Sequence, residues 1–171
     1  IKKIQQSILE KKIFLFYGEN YGLKKEIEQI VKSTINKNSV KAEKLSLFES
    51  DVIKNQENFY NSIFSGSLFA KKKIICIYYV SDKIINNIEE ITDKIPEGIF
   101  LLLFSGILEK KSKLRNFFEK NLNTVCTPCY FDDEKNLEII AKDELFQEKI
   151  MLSKESLNLI IRKSNGDRGN L

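Results

Sequence analysis

The sequence predicts an α/β fold: a mostly parallel sheet covered by helices. Three observations carry this. Short apolar runs alternate five times with stretches of helical period. Three of the runs, Ile13-Phe14-Leu15-Phe16-Tyr17, Ile74-Ile75-Cys76-Ile77-Tyr78-Tyr79-Val80 and Ile99-Phe100-Leu101-Leu102-Leu103-Phe104, are apolar at every position, and the last two read as strands buried on both faces. The first is followed at once by a glycine-containing turn and a helix, the opening of an α/β unit.

Taken in order, Ile4, Ile8 and Leu9 suggest a short amphipathic helix before the first strand. Gly18-Glu19-Asn20-Tyr21-Gly22 is a turn, and Leu23, Ile27, Ile30, Val31 and Ile35 then follow at helical spacing. Val40, Ala42, Leu45 and Leu47 roughly alternate with polar residues, which suits an edge strand. Val52 through Phe64 read as a second helix, ended by Ser65-Gly66. Ile74-Ile75-Cys76-Ile77-Tyr78-Tyr79-Val80 is a buried strand. Ser81 can cap a helix carrying Ile84, Ile85, Ile88 and Ile91, which Pro96 and Gly98 break. After the strand at 99–104, Ser112 can cap a helix bearing Leu114, Phe117 and Phe118. Thr124-Val125-Cys126-Thr127 is a shorter strand that Pro128 places at an edge or an end. Beyond Asp132 the pattern turns helical: Leu137, Ile140, Ala141 and Leu145, then Leu157, Ile160 and Ile161 after Ser153. Ser164-Asn165-Gly166 supplies a glycine C-cap, and Asp167 can cap a further helix. The expected division is an α/β domain over 1–132 and the beginning of a helical domain over 133–171.

The bulk numbers narrow the function classes. The chain of 171 residues is 42% hydrophobic and 30% charged, with a formal net charge of +4. These are ordinary values for a globular protein. No apolar run approaches the ~18 residues of a membrane span, and no signal peptide is visible. The chain starts at Ile1 and stops within what reads as a helix start, so a fragment is expected. The basic excess is almost all lysine, the arginines being Arg115, Arg162 and Arg168, and by itself says little about nucleic acid. Three cysteines and no histidine argue against a disulfide scaffold and suggest a reducing compartment.

The residues that would carry chemistry are mostly missing. The first strand–turn–helix stands where a nucleotide-binding P-loop would, and that motif needs Gly, four residues, then Gly-Lys-Ser/Thr. Counting from Gly18, the second glycine comes one place early, at Gly22. Lys24 follows, but the Mg²⁺-ligating hydroxyl does not. Glu19 adds negative charge where phosphate would be favoured. At the end of the strand Tyr78-Tyr79-Val80, Ser81-Asp82 stands in place of adjacent acids. The shape of an ATPase is present without its chemistry, and no cofactor is expected. Cys126-Thr127-Pro128-Cys129 has knuckle spacing, but with no histidine and only Cys76 left a four-ligand zinc set cannot be completed. No metal site is expected, and triads needing histidine are excluded. Lys110-Lys111-Ser112-Lys113-Leu114-Arg115 surrounds a helix start and suits either DNA phosphate or a solvated face.

One stretch remains. Gly66-Ser67-Leu68-Phe69-Ala70 places an apolar pair between a small-residue turn and Lys71-Lys72-Lys73, at the rim of the sheet. Such a pair either folds back as satellite core or is offered to a partner. The residues alone leave both open.

Four elements together give a resemblance. They are Tyr17-Gly18-Glu19 with its degenerate P-loop, Ser67-Leu68-Phe69-Ala70 before a basic residue and an apolar strand, Phe100-Leu101-Leu102-Leu103 leading to Lys110-Lys111-Ser112-Lys113-Leu114, and Asn165-Gly166-Asp167-Arg168-Gly169-Asn170-Leu171. In this order and spacing they resemble the delta subunit of the bacterial DNA polymerase III clamp loader. The resemblance implies an AAA+-type (P-loop-like) five-stranded parallel sheet flanked by helices, followed by the start of a small helical lid. A C-terminal collar domain would lie outside this chain. It implies binding and opening of the sliding clamp (beta) for loading on primed DNA in chromosomal replication, without bound ATP. No catalytic site of its own is implied. The DNA-directed DNA polymerase, a nucleotidyltransferase, belongs to the holoenzyme. The implied clamp-binding residues are Leu68 and Phe69, with Ser67 beside them. Lys71, Lys72 and Lys73 are expected as rim contacts. Implied partners are the clamp, the other loader subunits (gamma/tau and delta prime) and primed DNA within the assembled complex, with no membrane, in the cytoplasm of a bacterium at its nucleoid-associated replisome. The competing expectations are an active P-loop ATPase of the AAA+ class and a plain DNA-binding domain.

Overall fold

A computed structural model describes residues 10–36, 42–65 and 72–171. Its centre is a five-stranded sheet of β1 (Ile13–Tyr17), β2 (Glu43–Phe48), β3 (Lys73–Tyr78), β4 (Ile99–Ser105) and β5 (Thr124–Pro128). The spatial order is β2-β3-β4-β1-β5, and every neighbouring pair is parallel. The expected buried strands β3 and β4 lie in the interior beside the apolar β1, and β2 and β5 form the edges. Pro128, which has no N–H to donate, ends an edge strand without disturbing a ladder.

Side-chain alternation explains the solidly apolar strands. Ile13, Leu15, Ile75, Ile77, Leu101 and Leu103 share one core. Phe14, Phe16, Ile74, Cys76, Leu102 and Phe104 share the other. The second face is covered by α1 (Tyr21–Ile35), through Ile27, Val31 and Ile35. The first is covered by four helices: α2 (Glu49–Lys54), α3 (Gln56–Phe64), α4 (Ile85–Thr92) and α5 (Lys113–Lys120). With helices on both sides, no strand residue of β1 can face water, and all five are buried.

The helix expected across Val52–Phe64 is two helices. Asn55 takes φ −138° and ψ 75° between them, and its side chain accepts from the Asn58 N–H to start α3. An asparagine that satisfies a helix N-terminus competes with helix continuation, and here the cap wins. β3 is also shorter than its apolar run. Tyr79 has φ 58°, which ends the strand, and the Val80 N–H rejoins β4 at the Phe104 carbonyl. Ser81 caps a 3₁₀ turn at Asp82–Ile84 that leads into α4. The Asp82 carboxylate reaches further and caps α5. It accepts from the Ser112 hydroxyl and from the Lys113 and Leu114 N–H groups.

Beyond β5, α6 (Glu134–Gln147) and α7 (Lys154–Ser164) form a pair around Leu137, Ala141, Leu157 and Ile161. Asp133 and Ser153 cap them. α7 ends through Asn165 (φ 51°) and Gly166 (φ 83°), both left-handed. A 3₁₀ turn follows at Arg168–Asn170. Among the described residues, no helix is long and apolar enough to cross a membrane. The helix expected around Ile4 and Ile8, and Val40 of the expected edge strand, lie outside the described residues.

Candidate functional site

The turn between β1 and α1 sits at the carboxyl ends of the strands, where parallel α/β sheets bind ligands. Gly18 opens it with φ 132°, and a Cβ there would lie 2.2 Å from the Cys129 carbonyl oxygen. Its N–H donates to the Gly106 carbonyl. Asn20 caps α1, accepting from the Leu23 N–H at 2.9 Å. Two further N–H groups at the start of α1 point out of the helix, as unpaired donors at a helix start do. In a phosphate-binding loop those donors would meet the ligand.

Here they meet the chain itself. Asp167, from the far end of the sequence, accepts from the Tyr21 N–H at 3.0 Å and the Gly22 N–H at 2.8 Å. The two backbones touch at this point. A Cβ on Gly22 would lie 2.0 Å from the Gly169 nitrogen, and one on Gly169 would lie 2.9 Å from the Gly22 Cα. Lys24, in the position nearest a P-loop lysine, is 6% exposed. It donates to the Gly18 and Ser105 carbonyls at 2.8 and 2.9 Å. Burial pushes its ammonium below the ordinary lysine range, although Cys129 and Asp167 oppose the shift.

An ion-pair cluster braces the same contact. Arg168 donates to both oxygens of Asp132, at 2.8 and 2.6 Å, and to Glu26 of α1 at 2.7 Å. The Asn20 amide donates to Asp132 at 2.8 Å and to the Gly166 carbonyl at 3.3 Å. Burial works against the ionised Asp132, but hydrogen bonds from Arg168 and Asn20 outweigh it and hold the carboxyl below its usual range. The Asp167 contact and this cluster escape sequence reading, since the partners are 146 residues apart in the case of Tyr21 and Asp167. The one available signal was Asp167 as a helix cap. It does cap the local turn, through the Gly169 N–H, but it caps α1 as well.

Past the end of β3, Ser81 and Asp82, which stand where an ATPase carries adjacent acids, are committed elsewhere. The Ser81 N–H and hydroxyl donate to Glu49, and Asp82 is spent on α5. The cleft beside them, about 360 Å³, has aromatic walls from Tyr21, Tyr78, Tyr79 and Phe104. Burial pushes the Cys126 and Cys129 thiols up to about 12, far from a reactive thiolate. Among the described residues no group of three His, Cys, Asp or Glu side chains is placed to hold a metal.

Ser67, Leu68, Phe69 and Lys71 lie outside the described residues. The elements on either side of them are α3, closed at Ser65, and β3, whose first N–H donates to the Gly98 carbonyl. Lys72 donates to the Ile35 carbonyl at 3.0 Å. Lys73 is 8% exposed. Its ammonium donates to the Ser62 carbonyl at 3.1 Å and lies 3.8 Å from Glu43. Within this chain Lys73 therefore serves the sheet rim rather than standing free as an outer charge. A second polar surface is an open groove of about 820 Å³ between α4 and α5, with Lys111, Lys113 and Lys120 on its walls and Glu89 opposite.

The family model described as DNA polymerase III, delta subunit matches residues 14–128. The chain belongs to this family. A curated relative, the probable DNA polymerase III subunit delta of Rickettsia prowazekii, is 24% identical over 157 residues, covering 90% of this chain and 45% of that protein. Among solved structures, the Bacillus subtilis DNA clamp loader delta protein aligns with a TM-score of 0.64 at 13% identity, over 99% of this chain and 54% of that one. Domain III of the Thermotoga maritima replication initiation protein DnaA aligns with a TM-score of 0.60 at 16% identity, over 98% and 80%. The delta-family chain thus has an AAA+-type fold, and it spans about half the length of the relatives it matches.

Proposed function

We propose that this chain is the clamp-engaging part of a DNA polymerase III delta subunit, which binds a sliding clamp through Leu68 and Phe69 and opens it without binding ATP. Residues 1–132 are the clamp-binding domain and 133–171 the start of the lid. The observation that carries the reading without ATP is Asp167 on the Tyr21 and Gly22 N–H groups. A phosphate arriving at this turn would have to displace a carboxylate and would meet its negative charge. Lys24, already on two carbonyls, is not free to follow a γ-phosphate. With no Ser or Thr at Leu23 or Lys25, the turn also lacks the hydroxyl that holds Mg²⁺.

Work on the clamp then comes from binding energy. Two large apolar side chains transferred from water into a pocket supply roughly 1.5–3 kcal/mol each, and such anchors dominate interfaces. A ring that fits this surface better when open than when closed is shifted toward the open state by that difference. The partners are the beta clamp and the other loader subunits, and the setting is the bacterial cytoplasm. Primed DNA is a further partner, and the Lys111–Lys113–Lys120 groove supports it as a surface for phosphate.

The direct test is a pull-down of the purified protein with a bacterial sliding clamp. Retention of the clamp in buffer without nucleotide is expected. A clamp that passes through unretained overturns the proposal.

A further inference from the structure

We infer that Asp167 is a built-in substitute for a phosphate ligand, which fastens the α6–α7 segment to the P-loop-like turn in one fixed orientation. The inference rests on the reading that this turn holds no nucleotide and goes beyond it, because it assigns the vacant role to a residue. Three independent features of the structure converge on it.

The first is the pair of hydrogen bonds themselves. The two oxygens of one carboxylate take the Tyr21 and Gly22 N–H groups separately, at 3.0 and 2.8 Å. One of them also accepts from the Gly169 N–H at 2.8 Å. Asp167 is 8% exposed. An anion held by successive backbone N–H groups at a helix start is the arrangement that phosphate ligands use, and α1, at 15 residues, is long enough to favour negative charge there.

The second is the glycine pair. Gly22 and Gly169 meet backbone to backbone, with no room for a Cβ on Gly22. This close approach is what lets a side chain as short as aspartate reach α1. The third is the bracing beside it. Arg168 is held by Asp132 and Glu26 at once, so the residue adjoining Asp167 is pinned both to the β5–α6 link and to α1. Asn20 ties the same turn to Asp132 and to the Gly166 carbonyl.

The consequence is mechanical. A segment held by an exchangeable phosphate is released whenever the ligand leaves. A carboxylate carried on the chain is always present, at the high effective concentration of an intramolecular group. The lid segment of this protein is therefore set at a constant angle to the sheet, and no nucleotide cycle moves it.

The test uses Asp167→Ala in the full protein, with backbone amide exchange at Tyr21 and Gly22 and thermal unfolding as readouts, and inorganic phosphate as the probe. In the parent protein, both amides should be protected, and phosphate should add nothing beyond chloride of equal ionic strength. In the variant, exchange at both amides should rise tenfold or more, the melting temperature should fall, and phosphate should restore both in a saturable manner. If Asp167→Ala does not fold, Asp167→Asn, which keeps one acceptor and loses the charge, should show the same changes at smaller amplitude. Unchanged amide exchange in the variant, or equal stabilisation of parent and variant by phosphate, overturns the inference. Parent protein that binds Mg-ATP overturns the reading on which the inference rests. That outcome is separately visible, because it is scored on the parent before any substitution.

Discussion

Replacing Leu68 and Phe69 together by alanine should abolish retention of the sliding clamp while leaving the melting temperature within about a degree of the parent. The stability half follows from the proposed role: side chains presented to a partner are not part of the chain's own packing, so their truncation leaves no cavity in a core. The binding half follows from magnitude. Removing two anchors that each supply roughly 1.5–3 kcal/mol weakens binding by about two to four decades, at 1.4 kcal/mol per decade. Titration of parent and double variant with labelled clamp, alongside calorimetric unfolding, reads both halves at once. A melting temperature that falls by ten degrees with clamp affinity intact would place the pair in the core.

The second large effect belongs to the ion-pair cluster around Arg168. Asp132→Ala removes the carboxylate that holds Arg168 and the Asn20 amide. Asp132 is nearly buried, and Arg168 is largely so. The variant leaves a guanidinium without its main partner, a loss of about 3 kcal/mol. Chemical denaturation should show it as a lower midpoint. The same group predicts a pH dependence. Burial disfavours the ionised form, but Arg168 and Asn20 hold the folded-state pKa of Asp132 below its ordinary value. Its contribution is therefore fully present above the unfolded-state pKa of about 3.9 and is lost as pH falls through the lower folded-state value. Stability of the parent should drop more steeply than that of Asp132→Ala below about pH 4. Parallel acid titrations of the two proteins would expose the opposite result.

The sheet was readable because its interior strands are short and apolar on both faces, so that Ile13–Tyr17 and Ile99–Ser105 could hardly be anything else. Pro128 marked an edge for the simple reason that it lacks an N–H. Helix starts at Ser112 and Ser153 were visible as caps. Asn55 was not, because an asparagine inside an apolar periodic stretch gives no sign of whether its side chain will compete with the backbone. Tyr79 hides its left-handed backbone in the same way, since a tyrosine after a β run normally continues it. The degenerate P-loop could be recognised from missing residues at Leu23 and Lys25, but what replaces the phosphate could not. Asp167 reaches the Tyr21 and Gly22 N–H groups only when the segment that follows α7 folds back onto the start of α1. Leu68 and Phe69 stand at the opposite pole: nothing in periodicity decides between burial and presentation, and their expected role comes from the resemblance of the Ser67-Leu68-Phe69-Ala70 stretch to the delta family.

The claim on which the rest depends is that this chain grips a ring-shaped partner with apolar contact energy and has no use for a nucleotide. Calorimetric titration of the protein with a bacterial sliding clamp, run once in plain buffer and once with saturating Mg-ATP, addresses it directly. The same dissociation constant is expected in both runs, with no heat from Mg-ATP alone. A clamp that binds only when Mg-ATP is present, or not at all, would contradict it.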